Sequence, residues 1–236
     1  MMRCLIVQPI HETGLALLRR NGVEPVPCPA PDMATVARHI PGCQAVITRD
    51  AGLSAPAFAA ADRLRVVVVH GTGHDPVDKA AAAARGVVIA NTPGANAQSV
   101  AELALGLALA VARRIPAADR AQRAGAAGFR ESARFTELAG KTALIVGWGA
   151  IGRSFGRMLD RALGMTVLVH SPRAADTAPY RRVAGLAEGL AQADLVSLHT
   201  PLRAETRGMM GPAQFAALKP GAILLNLARA GLVDEP

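Results

Sequence analysis

Apolar residues along this chain follow two rhythms. Short aliphatic runs rich in valine, isoleucine and leucine occupy residues 4–7, 45–48, 64–69 and 87–90, and segments with helical spacing lie between them at residues 13–20 and 76–85. Buried strands separated by helices predict a parallel sheet, because each parallel connection needs a crossover long enough to hold a helix. A long apolar stretch over residues 97–114 predicts a helix, with Asn96 as candidate N-cap. It is apolar nearly all round, which predicts burial on more than one side. Residues 116–134 are polar and glycine-bearing without a clear period, and they read as a crossover or a contact arm.

The strand rhythm resumes at residues 142–146, 165–169, 194–198 and 222–225, with a short helix expected over residues 212–217. This predicts further βα units of one doubly wound sheet. The last thirteen residues, LLNLARAGLVDEP, read as a buried strand, a bend of small residues around Arg229 and an acidic helix start at Asp234 and Glu235.

The strand at residues 142–146 runs directly into Gly147-Trp148-Gly149-Ala150-Ile151-Gly152 and then a helical pattern. A bare G-x-G-x-x-G is a weak signal, but strand, turn and helix around it form the context the chemistry requires. Gly147 allows the tight turn, Gly149 lets the backbone approach a pyrophosphate and Gly152 permits close packing of helix on strand. The N–H groups of Ala150 and Ile151 then face the phosphates with the helix dipole behind them. A NAD site usually carries a carboxylate roughly 20 residues past the glycines to accept the ribose hydroxyls. The corresponding positions here hold His170, Ser171, Pro172 and Arg173. A hydroxyl and a guanidinium suit the extra phosphate of NADP, so NADP is favoured, with NAD as the alternative.

The chain has 236 residues, 51% of them hydrophobic and only 3% aromatic, so its cores should be built from small aliphatic side chains. The net charge of +8 raises nucleic acid as a partner. The arginines are scattered in pairs (Arg19 and Arg20, Arg113 and Arg114, Arg181 and Arg182) with no interleaved aromatics to stack bases, which favours solvated faces and an anionic small molecule instead. Cys4, Cys28 and Cys43 lack C-x-x-C spacing, so neither a metal site nor a disulfide framework is expected, and a reducing cytoplasmic compartment fits. No apolar run has the length of a membrane span, and the N-terminus runs straight into a strand rather than a signal segment.

Four ordered blocks, HGTGHDPVDKAAAAARGVVIANTPGANAQSVAEL, ELAGKTALIVGWGAIGR, DLVSLHTPLRAETRGMMG and LKPGAILLNLARAGLVDE, give the chain a specific resemblance. It resembles the D-isomer-specific 2-hydroxyacid dehydrogenases, the family of phosphoglycerate dehydrogenase and glyoxylate/hydroxypyruvate reductase. The resemblance implies an α/β protein with a flavodoxin-like substrate domain over residues 1–95 and a Rossmann dinucleotide-binding domain over residues 96–236, with the active-site cleft between them. It implies hydride transfer between NAD(P) and a small 2-oxo or 2-hydroxy acid such as glyoxylate or hydroxypyruvate, and a homodimer formed through the long helix and the arm after it. By the same resemblance Thr72 and Gly73 meet the substrate carboxylate and the nicotinamide end of the cofactor. Ala150 and Ile151 contact the pyrophosphate, Ser171 reads the ribose and Thr200 lies on a loop passing the cofactor. Leu227 and Ala228 flank the nicotinamide ribose, and Arg229 grips the substrate carboxylate and polarises its carbonyl, a task suited to a planar fork of donors.

His70, His74 and His199 are candidate acids because histidine titrates near neutrality, but the resemblance gives none of them that role. It places the proton-donating histidine and its glutamate partner after the arginine motif, in a stretch this sequence does not contain. The chain is therefore expected to be C-terminally incomplete in its second domain and impaired in turnover, the alternative function being a dinucleotide-binding sensor or scaffold. Side chains around residues 7–10 and 51–53 should set the choice of 2-oxo acid.

Overall fold

The computed structural model describes residues 1–235 and divides into two compact units, Met1–Asn96 and the chain from Ala97 onward. The first contains β1 (Met2–Ile6), α1 (Glu12–Arg20), β2 (Val23–Pro27), α2 (Met33–His39), β3 (Ala45–Thr48), α3 (Ala55–Ala60), β4 (Val66–Val69), α4 (Lys79–Ala84) and β5 (Val88–Asn91). All pairings are parallel and the strand order is β2-β1-β3-β4-β5, the flavodoxin-like doubly wound arrangement. The strands are aliphatic because both faces are covered. Leu5, Val7, Val46, Val67 and Val69 point into one core with Phe58, while Cys4, Ile6 and Ala45 point into the other.

Two elements of this unit escape a reading by period. Strand β2 contains two prolines, which argue against a strand, but it lies at the sheet edge where a missing N–H on the outer side is harmless. Helix α2 is only seven residues long and starts on Asp32, whose Oδ1 accepts the Thr35 N–H at 2.9 Å. Asn96, the residue before α5, accepts at Oδ1 from the Thr72 hydroxyl at 3.4 Å.

The second unit contains α5 (Ala97–Ala112), α6 (Ile115–Arg123), α7 (Phe129–Ser132), β6 (Thr142–Val146), α8 (Ala150–Leu163), β7 (Thr166–His170), β8 (Arg181–Arg182), α9 (Leu186–Gln192), β9 (Leu195–Leu198), α10 (Pro212–Ala216) and β10 (Ile223–Asn226), then a 3-10 turn at Ala230–Leu232. Its parallel sheet has the order β10-β9-β6-β7-β8, which is the Rossmann order of its five strands. The switch point falls between β6 and β9, where successive connections leave in opposite directions.

Three features go beyond what the apolar period indicates. Residues 116–134, which show no clear apolar period, hold most of α6 and all of α7, set off from α5 by a left-handed Arg114 (φ 52°) whose Nε donates to the Arg134 carbonyl at 3.1 Å. Helix α5 is buried within its unit along one stripe only. Ala101, Ala104, Ala108 and Ala112 pack into the core that holds Phe155 and Leu159 of α8, leaving Leu103 and Val111 more than half exposed and Leu107 close behind them. Asp234 and Glu235 do not begin a helix in the described residues. Buried Leu232 donates its N–H to the Arg229 carbonyl, and Val233 forms a parallel bridge with Met210, whose carbonyl accepts the Asp234 N–H at 3.0 Å. Pro236 lies outside the described residues.

The alanine stripe lets α5 lie close against α8, so volume there is not tolerated. Ala108→Leu should destabilise the second unit by about 1–3 kcal/mol through overpacking, read as a lower urea midpoint by circular dichroism.

Candidate dinucleotide site

The turn after β6 is set by backbone crowding. Gly147 has φ +100°, and a Cβ there would lie 2.6 Å from the His199 carbonyl oxygen at the end of β9. A Cβ on Gly152 would lie 2.1 Å from the Gly147 carbonyl oxygen, so the first turn of α8 can close on β6 only with glycine at both places. Gly149 differs from both. It is the exposed N-cap of α8, carries no side-chain cap and has open space where a Cβ would sit. The protein's own packing does not demand glycine there, whereas a phosphate drawn against the backbone does. Exposed Ala150 and half-buried Ile151 follow it, at the end of the helix where N–H groups lack intrahelical acceptors. These residues fit a dinucleotide pyrophosphate.

Trp148 anchors the turn. Its ring is 6% exposed, packs edge-to-face on Tyr180 at 5.4 Å and fills the space beside Gly156. Its N–H donates to the Ser171 hydroxyl at 3.2 Å, and its carbonyl accepts from Arg153 Nε at 3.1 Å. Ser171, expected to read the ribose, is thereby tied to the glycine turn itself. Arg173, two residues on, forms an ion pair with Glu205 at 2.6 Å, a partner more than 30 residues away that no local pattern indicates.

Thr200 is half-buried on the loop after β9. Its neighbour His199 accepts or donates one bond, to Ser197 Oγ at 2.9 Å, and stacks edge-to-face on Phe155 at 5.7 Å. Burial drives its imidazole pKa down to about 4, so it is neutral at pH 7 and unsuited to proton donation there. After β10, Leu227 packs with the α5–α8 core and Ala228 with the opposite one. Asn226 organises the bend that follows. Its Oδ1 accepts the Ala228 N–H at 3.1 Å and its Nδ2 donates to the Arg229 carbonyl at 2.8 Å, while Arg229 Nη1 donates to the Ala228 carbonyl at 2.8 Å. Arg229 is half-buried.

In the first unit, Thr72 is exposed and Gly73 half-buried on the loop after β4. Asn91 Nδ2 donates to the Thr72 carbonyl at 2.7 Å, and the Thr92 N–H donates to the Gly71 carbonyl at 3.0 Å, so the end of β5 braces that loop. At the switch point of this sheet, between β1 and β3, Gln8 binds the neighbouring loop three ways. Its Oε1 accepts from the Arg49 and Ala51 N–H groups at 3.1 and 3.0 Å, and its Nε2 donates to Asp50 Oδ1 at 2.7 Å. Gln8 lies inside the stretch expected to set substrate choice, but its link to residues 49–51 is a tertiary fact. His70 and His74 are exposed. Among the described residues no cluster of metal-ligating side chains occurs, no helix is long and apolar enough to cross a membrane, and all three cysteines are free thiols.

Two outcomes follow from this geometry. Gly147→Ala should cost at least about tenfold in dinucleotide affinity, because a left-handed alanine also forces β6 and β9 apart; a calorimetric titration reads it. For His199 the folded pKa lies below the unfolded value, so the unfolded chain takes up the extra proton. Its contribution is fully present above about pH 6.5 and lost as the pH falls towards 4, with a slope of at most about 1.4 kcal/mol per pH unit. His199→Gln should flatten the urea stability curve in that window.

Residues 105–236 match the family model described as the D-isomer specific 2-hydroxyacid dehydrogenase, NAD binding domain. The D-3-phosphoglycerate dehydrogenase of Archaeoglobus fulgidus is 35% identical over 238 residues, 99% of this chain and 45% of that protein, so the chain spans less than half the length of that relative. Among solved structures, the TT0316 protein of Thermus thermophilus superposes with a TM-score of 0.90 at 35% identity, covering 99% of this chain and 76% of that one. The NAD+-bound 3-phosphoglycerate dehydrogenase of Entamoeba histolytica superposes at 0.85 with 26% identity, covering 99% and 74%. With the Rossmann strand order and the glycine turn, these matches establish that the chain belongs to the D-isomer specific 2-hydroxyacid dehydrogenase family, with a nicotinamide-dinucleotide-binding second unit.

Proposed function

We propose that the protein is an oxidoreductase that moves a hydride between a nicotinamide dinucleotide and a small 2-oxo or 2-hydroxy acid. The observation that carries this reading is the cradle at Gly149, open to ligand while its neighbours Gly147 and Gly152 are packed shut. The bound cofactor supplies the hydride chemistry. Everything else falls to this chain's side chains and amides. The first turn of α8 neutralises the pyrophosphate, and Leu227 and Ala228 line the nicotinamide ribose. Arg229 holds the substrate carboxylate with a two-pronged guanidinium and draws electron density from the adjacent carbonyl. Thr72 and Gly73, on the loop braced by the end of β5, are the first unit's candidate substrate contacts, which reads that unit as the substrate domain. Asn226 is a positioning residue, since its amide fixes the bend on which Arg229 stands. His199, held neutral by burial, stays out of the proton transfer.

NADP is preferred over NAD in this reading, through Ser171 and Arg173. Ser171→Asp preserves an acceptor for the Trp148 N–H and places a negative charge where a 2′-phosphate would sit. The ratio of NADPH to NADH efficiency should fall about tenfold, and an unchanged ratio contradicts the assignment.

A second copy of the chain is the partner proposed for α5. Leu103, Leu107 and Val111 repeat every four residues on its exposed face. Light scattering should give a dimer mass at micromolar concentration, reduced to a monomer by Leu107→Arg. For the activity, oxidation of NADPH and NADH is followed with glyoxylate and hydroxypyruvate, and the reverse reaction with D-3-phosphoglycerate, the substrate in the names of its relatives. Turnover of one of these, lost in Arg229→Gln, supports the reading; dinucleotide binding without turnover of any 2-oxo or 2-hydroxy acid makes the chain a sensor or scaffold instead.

A further inference from the structure

We propose that Glu205 is a specificity determinant for the dinucleotide, its carboxylate holding the Arg173 guanidinium and thereby opposing a 2′-phosphate. The inference rests on the reading of the β7 end as the ribose site. The usual fingerprint puts an acidic residue at the end of the second strand. That position in this chain holds no carboxylate, yet one is present in space: Glu205 Oε1 sits 2.6 Å from Arg173 Nη2, delivered by the loop between β9 and α10.

Both partners stand on fixed backbone. Thr206 closes the turn that carries Glu205: its hydroxyl accepts the Arg203 N–H at 2.8 Å and donates to the Pro201 carbonyl at 2.8 Å. The Arg207 N–H donates to the Arg203 carbonyl at 3.0 Å, and Leu202 packs into the core beneath. On the other side, the Ala174 N–H donates to the Ser171 carbonyl at 3.2 Å, and the Arg182 guanidinium donates to the Ala174 carbonyl. The carboxylate is therefore presented to the arginine by two tight turns.

The pair's electrostatics decide what it does. The side chains are 66% and 55% exposed, so the bridge adds little to folding and breaks readily. For a ligand the balance is different. Arg173 alone offers a positive charge to a phosphate, whereas Arg173 with Glu205 offers a neutral pair whose carboxylate repels a group carrying close to two negative charges. A ribose without that phosphate meets no such repulsion and finds in Glu205 an acceptor for hydroxyl protons. Glu205 thus tempers the preference that Ser171 and Arg173 create.

The test is direct binding. Dissociation constants for NADP+ and NAD+ are measured at low ionic strength by calorimetry, and by Trp148 fluorescence, on the wild type and on Glu205→Gln, Arg173→Gln and the double variant. Glu205→Gln should raise the ratio of NADP+ to NAD+ affinity about 5- to 30-fold, and 0.5 M salt should shrink the gain. Arg173→Gln should lower the ratio, and Glu205→Gln should have a smaller effect in that background. An unchanged ratio in Glu205→Gln, with Arg173→Gln still lowering it, overturns the role of Glu205 and leaves the ribose assignment standing. An unchanged ratio in Arg173→Gln removes the ribose assignment, and the inference falls with it. Because Glu205 is exposed on a turn held by Thr206, the glutamine variant should keep its fold, checked by an unaltered urea midpoint.

Discussion

The close approach of two backbones at the switch point of the second sheet governs what surrounds it. Gly147 meets the His199 carbonyl with no room for a side chain, and Gly152 meets Gly147 in turn. These contacts bring the start of α8 down onto the ends of β6 and β9, so that its free N–H groups face one place. They also place His199 against Phe155 in a desolvated environment that strips it of its proton. The same packing that shapes the glycine turn also buries a histidine beside it.

Around that rigid centre, single polar side chains order the loops. Ser171 ties β7 to the glycine turn, Thr206 closes the loop after β9, and Asn226 shapes the bend carrying Arg229. In the first unit Gln8 and Asn91 serve the loops after β3 and β4 in the same way. A loop has no core of its own, so satisfied backbone groups are what hold it in one conformation. Each of these side chains bonds mainly to backbone.

Charge is likewise decided locally. The net charge of +8 describes the whole chain, but Arg173 is matched by Glu205, Arg181 by Glu188 and Lys219 by Asp194. What an anionic ligand meets depends on which cations remain unmatched at its own position, a property of pairings rather than of composition.

The period of apolar residues determined the two parallel sheets, and the strand, turn and helix around residues 147–152 determined the glycine turn, because both signals lie within a few residues of each other. Strand β2 was illegible for the opposite reason: its prolines are forbidden in a sheet interior and allowed at an edge, and only the strand order makes it an edge. The helices in the arm after α5 were not legible, since α6 and α7 are short and bury no residue, leaving little apolar period to detect. The outward leucines of α5 are exposed within its unit because α8 covers only the alanine stripe. Glu205 beside Arg173, Gln8 beneath residues 49–51 and Val233 against Met210 belong to tertiary structure alone. Their partners are distant in the sequence and become neighbours only when strand order brings separate loops to the same end of a sheet, and no local period or spacing carries that order.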